Sequence, residues 1–177
     1  GDPMKGLNVS GANKEMIIGS YYALIIGIDD YTGEWTTLNN AVSDAEAIQE
    51  LLDEKYHFDE FTTVLNGDAT RANSITALED LVELVQPEDN IFIYYSGHGQ
   101  FKESLNKGYW VPADATANST SQFISNSDLQ TFIGGINSNH TLLVSDACFS
   151  GDIFRGNTIS VPFEESEKYY TEVHNLV

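Results

Sequence analysis

One histidine and one cysteine are of the types that can act together as base and nucleophile. His98 lies in Tyr94-Tyr95-Ser96-Gly97-His98-Gly99, which closes one apolar run, and Cys148 lies in Ser145-Asp146-Ala147-Cys148-Phe149-Ser150-Gly151, which closes another. A cysteine attacks as its thiolate, and with an ordinary pKa of about 8.5 it is only slightly ionised at neutral pH. Cys148 therefore needs a base. An imidazole that titrates near neutrality can take the thiol proton and later return it to a leaving amine. Cys148 is the sole cysteine, so it has no intrachain disulfide partner and is a free thiol, which suits a reducing compartment. His57, His140 and His174 fall at a helix end, before a strand and in the C-terminal stretch, and read as surface or packing residues.

The elements that must position the pair follow from apolar patterning. Tyr21-Tyr22-Ala23-Leu24-Ile25-Ile26-Gly27-Ile28 is continuously apolar, as in a strand covered on both faces. Asp29 to Asn40 reads as a loop, and Ala41, Ala45, Ile48, Leu51 and Leu52 recur at helical spacing through residues 41 to 54. Phe61 to Leu65 is a second strand, and Thr70 caps a helix carrying Ile75, Leu78, Leu81, Val82 and Val85 that stops before Pro87. Asn90 to Tyr95 and Thr141 to Ser145 are the third and fourth strands. Between them, Gly108 to Pro112 and Gln122 to Ile124 read as a small hairpin, and Asn126 to Ile133 as a short helix capped by Asn126 or Ser127. Strands alternating with helices imply an α/β fold, a three-layer α/β/α sandwich around a mostly parallel sheet. In such a sheet the carboxyl ends of neighbouring strands line one crevice. His98 and Cys148 then share a rim.

Composition narrows the partners. The chain has 177 residues with 41% hydrophobic content, enough for one ordinary core and not for two full domains. Its 27 acidic and 8 basic residues give a formal charge of -19, which repels nucleic acid and anionic lipid and favours a cationic peptide. No apolar stretch reaches the roughly 18 residues of a membrane span, and Gly1-Asp2-Pro3-Met4 lacks a signal peptide's apolar region, so the expected location is cytoplasmic. Residues 1–19 read as a flexible lead-in that begins with a cloning scar and holds at most a short strand at Met16-Ile17-Ile18. Residues 20–154 read as the catalytic domain. Residues 155–177, with Glu164-Glu165-Ser166-Glu167-Lys168, read as an exposed loop or linker. A fourth strand left at the sheet edge would be open to pairing, so further strands are expected beyond it.

From Tyr21 to Gly151 the chain resembles the large-subunit portion of the caspase-like cysteine peptidases, nearest to metacaspases and bacterial orthocaspases. Ser-Gly-His-Gly and Asp-Ala-Cys-Phe-Ser-Gly stand at strand ends, with His98 and Cys148 50 residues apart. The caspase interval is about 50, with Gln-Ala-Cys at the nucleophile; here Asp146 stands in place of that glutamine. The resemblance implies a His98/Cys148 dyad, a thioester acyl-enzyme and an oxyanion held by the amides of Gly99 and Cys148. Gly97 and Gly99 would clear space for the substrate backbone. It also implies a primary specificity pocket of Asp44, Ser96 and Asp146. Two carboxylates and a hydroxyl suit a cation, so cleavage is expected after Arg, then Lys. Asp44 could instead serve the helix dipole, and Asp146 could cap a neighbouring amide.

Many metacaspases hold calcium at a rim of aspartates. The positions that align with it here are Lys107, Asn126, Ser127 and Arg155, two of them cations, which calcium does not accept as ligands. No metal and no other cofactor is expected, and Asp29, Asp30, Asp114 and Asp128 read as loop and capping residues. Arg155 and Lys168 are candidate processing sites, and a small-subunit chain or downstream region is the expected partner besides protein or peptide substrates. Two alternatives share the fold: a non-proteolytic interaction module, and a peptidase of the gingipain, clostripain or separase type.

Overall fold

The computed structural model describes residues 19–147. The elements run β1 (Tyr21–Gly27), α1 (Ala41–Tyr56), β2 (Glu60–Leu65), α2 (Arg71–Leu84), β3 (Asn90–Gly97), β4 (Gly99–Lys102), β5 (Lys107–Trp110), β6 (Ile124–Ser125), α3 (Asn126–Gly135) and β7 (His140–Ala147). Four strands form a parallel sheet in the order β2-β1-β3-β7. The central pair β1 and β3 is the most apolar, and Leu24, Ile25 and Ile93 are fully buried. Odd and even residues of β1 serve opposite layers, as the two-residue period of a strand requires. Ala23 and Ile25 pack with Tyr94 against Ala45 and Leu52 of α1. Leu24 and Ile26 pack with Ile93 and Tyr95 against Leu78 and Leu81 of α2 and Leu129 of α3. Helices thus cover both faces, in the expected three layers. Leu51 departs from its expected place on the core stripe and is 46% exposed.

Local chemistry sets the helix starts. The Asn40 side chain makes no capping bond. The Asp29 carboxylate reaches across instead and accepts the N–H groups of Ala41 at 2.8 Å and Val42 at 3.2 Å, which ties the end of β1 to the first turn of α1 and suits the helix dipole. A Cβ on Gly27 would lie 2.7 Å from that of Ala45, so this strand and helix approach closely only because the residue is glycine. Thr70 caps α2 by accepting the Asn73 N–H at 3.1 Å, and the Asp114 carboxylate accepts the Arg71 N–H at 2.8 Å. For α3 the cap is Ser125, not Asn126 or Ser127, because Ser125 and Asp128 satisfy each other's backbone N–H in a capping box.

A second sheet was only partly foreseen. β5 pairs antiparallel with β6 as the hairpin reading expects, but β5 also pairs with β4, giving the order β4-β5-β6. This small sheet carries Tyr109, Val111, Ala115 and Phe123 against Tyr31 and Trp35 of the β1–α1 loop. Trp110 stacks on Tyr95 at 4.3 Å between ring centroids and donates its indole N–H to Ser145 Oγ at 2.9 Å, which links β3, β5 and β7. β7 is the sheet edge among the described residues, with Leu142 56% and Val144 37% exposed. No described helix is long and apolar enough to cross a membrane.

Candidate active site

The chain leaves β1 towards the α1 face and leaves β3 towards β4 and the opposite face. This divergence makes a topological switch point between adjacent strands, where open α/β sheets place their sites. His98 follows β3 directly, and the β1–α1 loop folds over it. The Tyr31 ring lies 4.8 Å and the Trp35 ring 5.4 Å from the imidazole, both tilted. His98 Nε2 lies 2.6 Å from the Thr36 carbonyl oxygen. A carbonyl only accepts, so this contact selects the tautomer with the proton on Nε2 and leaves Nδ1 as the basic nitrogen. A backbone carbonyl here does what an orienting carboxylate does in a serine-peptidase triad.

The His98 backbone is held from both sides. Its N–H donates to Tyr31 Oη at 2.6 Å, and its carbonyl accepts from Tyr95 Oη–H at 2.7 Å and from the Val111 N–H at 3.0 Å. Burial pushes the Tyr31 phenol up to about 12, so it keeps its proton at physiological pH. Tyr95, 2% exposed, is shifted up well beyond its ordinary value, again mainly by burial. These hydroxyls explain Gly97 differently from the sequence reading. A Cβ there would lie 2.6 Å from the Tyr31 hydroxyl and 2.8 Å from that of Tyr95. The missing side chain makes room for the tyrosines.

The acidic positions gather on the α1 face of the same rim. Ser96 pairs in register with Asp146 across β3 and β7, and Asp44 lies in the first turn of α1. Tyr94, two residues before Ser96 on that face, joins them. Burial raises its phenol above its ordinary value, the Asp146 charge adds to this, the Asp44 charge adds less, and a hydrogen bond with Ser96 opposes it. The residues at 44, 94, 96 and 146 therefore share one electrostatic neighbourhood. Among the described residues neither Asp44 nor Asp146 has an ion-pair partner, the one salt bridge being Lys55–Glu54. Ser96 is buried and both aspartates are exposed.

Thus His98, Gly99, Asp44, Ser96 and Asp146 come to one end of the sheet. Cys148, Arg155 and Lys168 lie outside the described residues; β7 ends at Ala147, immediately before the cysteine. Sequence reasoning missed Tyr31, Trp35, Thr36, Tyr94 and Tyr95. Two aromatics in the otherwise polar stretch 29–40 were the available signal for Tyr31 and Trp35, whereas a carbonyl such as that of Thr36 leaves no trace in residue type.

Of the positions expected to align with a calcium rim, Lys107, Asn126 and Ser127 are among the described residues and Arg155 lies outside them. Lys107 is a cation, and the Asp128 carboxylate is taken up by the Ser125 N–H at 2.9 Å and hydroxyl at 2.8 Å. Among the described residues no three His, Cys, Asp or Glu side chains converge as metal ligands.

Known proteins resemble this chain in sequence and in fold. The family model for the caspase domain matches residues 20–175. Metacaspase-1 of Cryptococcus neoformans is 39% identical over 89 residues, covering 46% of this chain and 19% of the relative. Metacaspase-1 of Saccharomyces cerevisiae is 38% identical over 96 residues, covering 50% and 22%. The matched stretch spans about a fifth of these curated relatives. A crystal structure of a Geobacter sulfurreducens protein superposes with a TM-score of 0.63 at 22% identity, covering 88% of this chain and 65% of the other.

Proposed function

This chain belongs to the caspase-domain peptidase family, and from that premise we propose that it is a cysteine endopeptidase that cleaves after Arg, then Lys. The observation that carries the chemistry is the Thr36 carbonyl on His98 Nε2, which frees Nδ1 to act as a base. In the proposed reaction Nδ1 takes the Cys148 thiol proton, and the thiolate attacks the scissile carbonyl. The oxyanion is held by the amides of Gly99 and Cys148. Collapse breaks the C–N bond as the imidazolium returns its proton to the leaving amine, leaving a thioester that water hydrolyses with His98 again as base.

Specificity for a cation rests on the unpaired carboxylates. Asp44 and Asp146 face one region with the Ser96 hydroxyl, and a guanidinium entering there gains charge-assisted hydrogen bonds to groups that have no cation of their own among the described residues. Arg exceeds Lys because its planar fork can bond both carboxylates, where an ammonium acts as a point charge. Calcium is not required, and Arg155 and Lys168 are the sites of self-processing. Cytoplasmic proteins and peptides with exposed basic residues are the substrates, and the catalytic unit works with downstream small-subunit sequence.

Fluorogenic peptides ending in Arg, Lys or Asp test this, with Cys148→Ala as control. Cys148-dependent release from Arg and Lys peptides, unchanged by a chelator, is expected. Equal turnover of the Asp peptide would sink the specificity. Hydrolysis that survives Cys148→Ala would sink the mechanism.

A further inference from the structure

Two phenols hold the His98 backbone, one at its N–H and one at its carbonyl. The His98 N–H donates to Tyr31 Oη, and Tyr95 Oη lies 2.7 Å from the His98 carbonyl but 3.1 Å from that of Val111. The two hydroxyls flank the space that a Gly97 Cβ would fill, 2.6 Å from it for Tyr31 and 2.8 Å for Tyr95. Each hydroxyl has one proton to give. Tyr95 gives its proton to the nearer carbonyl, of His98.

These two contacts reach beyond the histidine. The peptide bonds are trans, so the His98 carbonyl and the Gly99 N–H point in opposite directions from one rigid plane. Tyr95 and Val111 hold that carbonyl inward, towards β5. The Gly99 N–H is thereby aimed outward, on the side of the plane away from β5. The preceding plane is fixed in turn by Tyr31 through the His98 N–H.

We propose that Tyr31 and Tyr95 are positioning residues for catalysis, whose hydroxyls lock the two peptide planes flanking His98 and so set both the imidazole base and the Gly99 oxyanion donor. The inference rests on the reading of His98 as base and Gly99 as oxyanion donor. The hydroxyls touch no reacting atom and act by geometry, where small misplacements are costly. Gly97 belongs to the same device, since any side chain there would displace both hydroxyls.

Tyr31→Phe and Tyr95→Phe keep the rings and remove the hydroxyls. On the Arg peptide, Tyr31→Phe is expected to lower kcat by about 10- to 100-fold with KM within about threefold, at an unchanged melting temperature. Tyr95→Phe should lower kcat less, because the Val111 N–H still holds the His98 carbonyl. Unchanged kcat in both variants, or a change confined to KM, would overturn the proposal. Hydrogen exchange at the His98 amide of the unaltered protein gives a second readout should the variants unfold: protection is expected, and exchange as fast as in an open loop would overturn it. His98→Ala separates the two levels. Residual wild-type turnover in that variant removes the underlying reading, whereas an inert His98→Ala beside fully active tyrosine variants removes only this proposal.

Discussion

The two sides of the site are built in opposite ways. On the histidine side three polar groups of His98 are occupied, Nε2 by Thr36, N–H by Tyr31 and the carbonyl by Tyr95 and Val111, and Nδ1 is left for the thiol. On the carboxylate side Asp44 and Asp146 are exposed and without an ion-pair partner among the described residues, over a buried floor of Tyr94 and Ser96. The difference fits the role proposed for each side. A base gains from being preorganised, because orientation established in folding is not paid for again in the transition state. A recognition pocket gains from carboxylates whose best partner is the ligand, because a guanidinium then replaces water and not an internal cation.

Breaking the rigid side should have the largest effect. His98→Ala is expected to lower kcat on the Arg peptide by about 10²- to 10⁴-fold with little change in KM, measured under steady-state conditions at constant folded fraction. On the open side, Asp146→Asn or Asp44→Asn should raise KM for the Arg peptide and cost about 10- to 100-fold in kcat/KM, the loss of one charged hydrogen bond. Comparable losses on a neutral peptide would show that these carboxylates serve the fold.

Alkaline titration sharpens the contrast through Tyr31. Its phenol is raised from an ordinary 10.0 to about 12 by burial, so between those pH values the folded state holds a proton that the unfolded chain releases. Stability is then fully present below pH 10 and falls as pH rises towards 12, by on the order of 2 kcal/mol from this residue. Denaturant unfolding at pH 9 and pH 11 should show a larger drop for the native sequence than for Tyr31→Phe. Equal drops would contradict the burial of this phenol. The smallest effect is expected from Tyr94→Phe, which removes a hydroxyl from the pocket floor. It should shift the Arg-to-Lys ratio of kcat/KM by a fewfold, and an unaltered ratio would place Tyr94 outside recognition.

The sequence reveals these two sides unequally. His98, the two aspartates and Ser96 carry chemistry in their residue types, and uninterrupted apolar runs locate the strands that bring Ser96 opposite Asp146. The scaffold of the histidine does not announce itself this way. Thr36 acts through its carbonyl, which every residue possesses, and Tyr31 acts across 67 positions. Asp29 reads as a loop acid until its carboxylate is seen on the first turn of α1. β4 has only four residues, Gly99–Lys102, too short for an alternation to stand out, and its pairing with β5 arises from long-range contact and not local propensity.

The most direct test is the intact mass of the protein after reaction with electrophilic peptidyl ketones that end in Arg or Asp. The account predicts one adduct from the Arg reagent, mapped to Cys148 and slowed strongly by His98→Ala, with little from the Asp reagent. Equal labelling by both reagents, or labelling indifferent to His98, would contradict a cysteine peptidase whose preorganised histidine serves an acidic pocket.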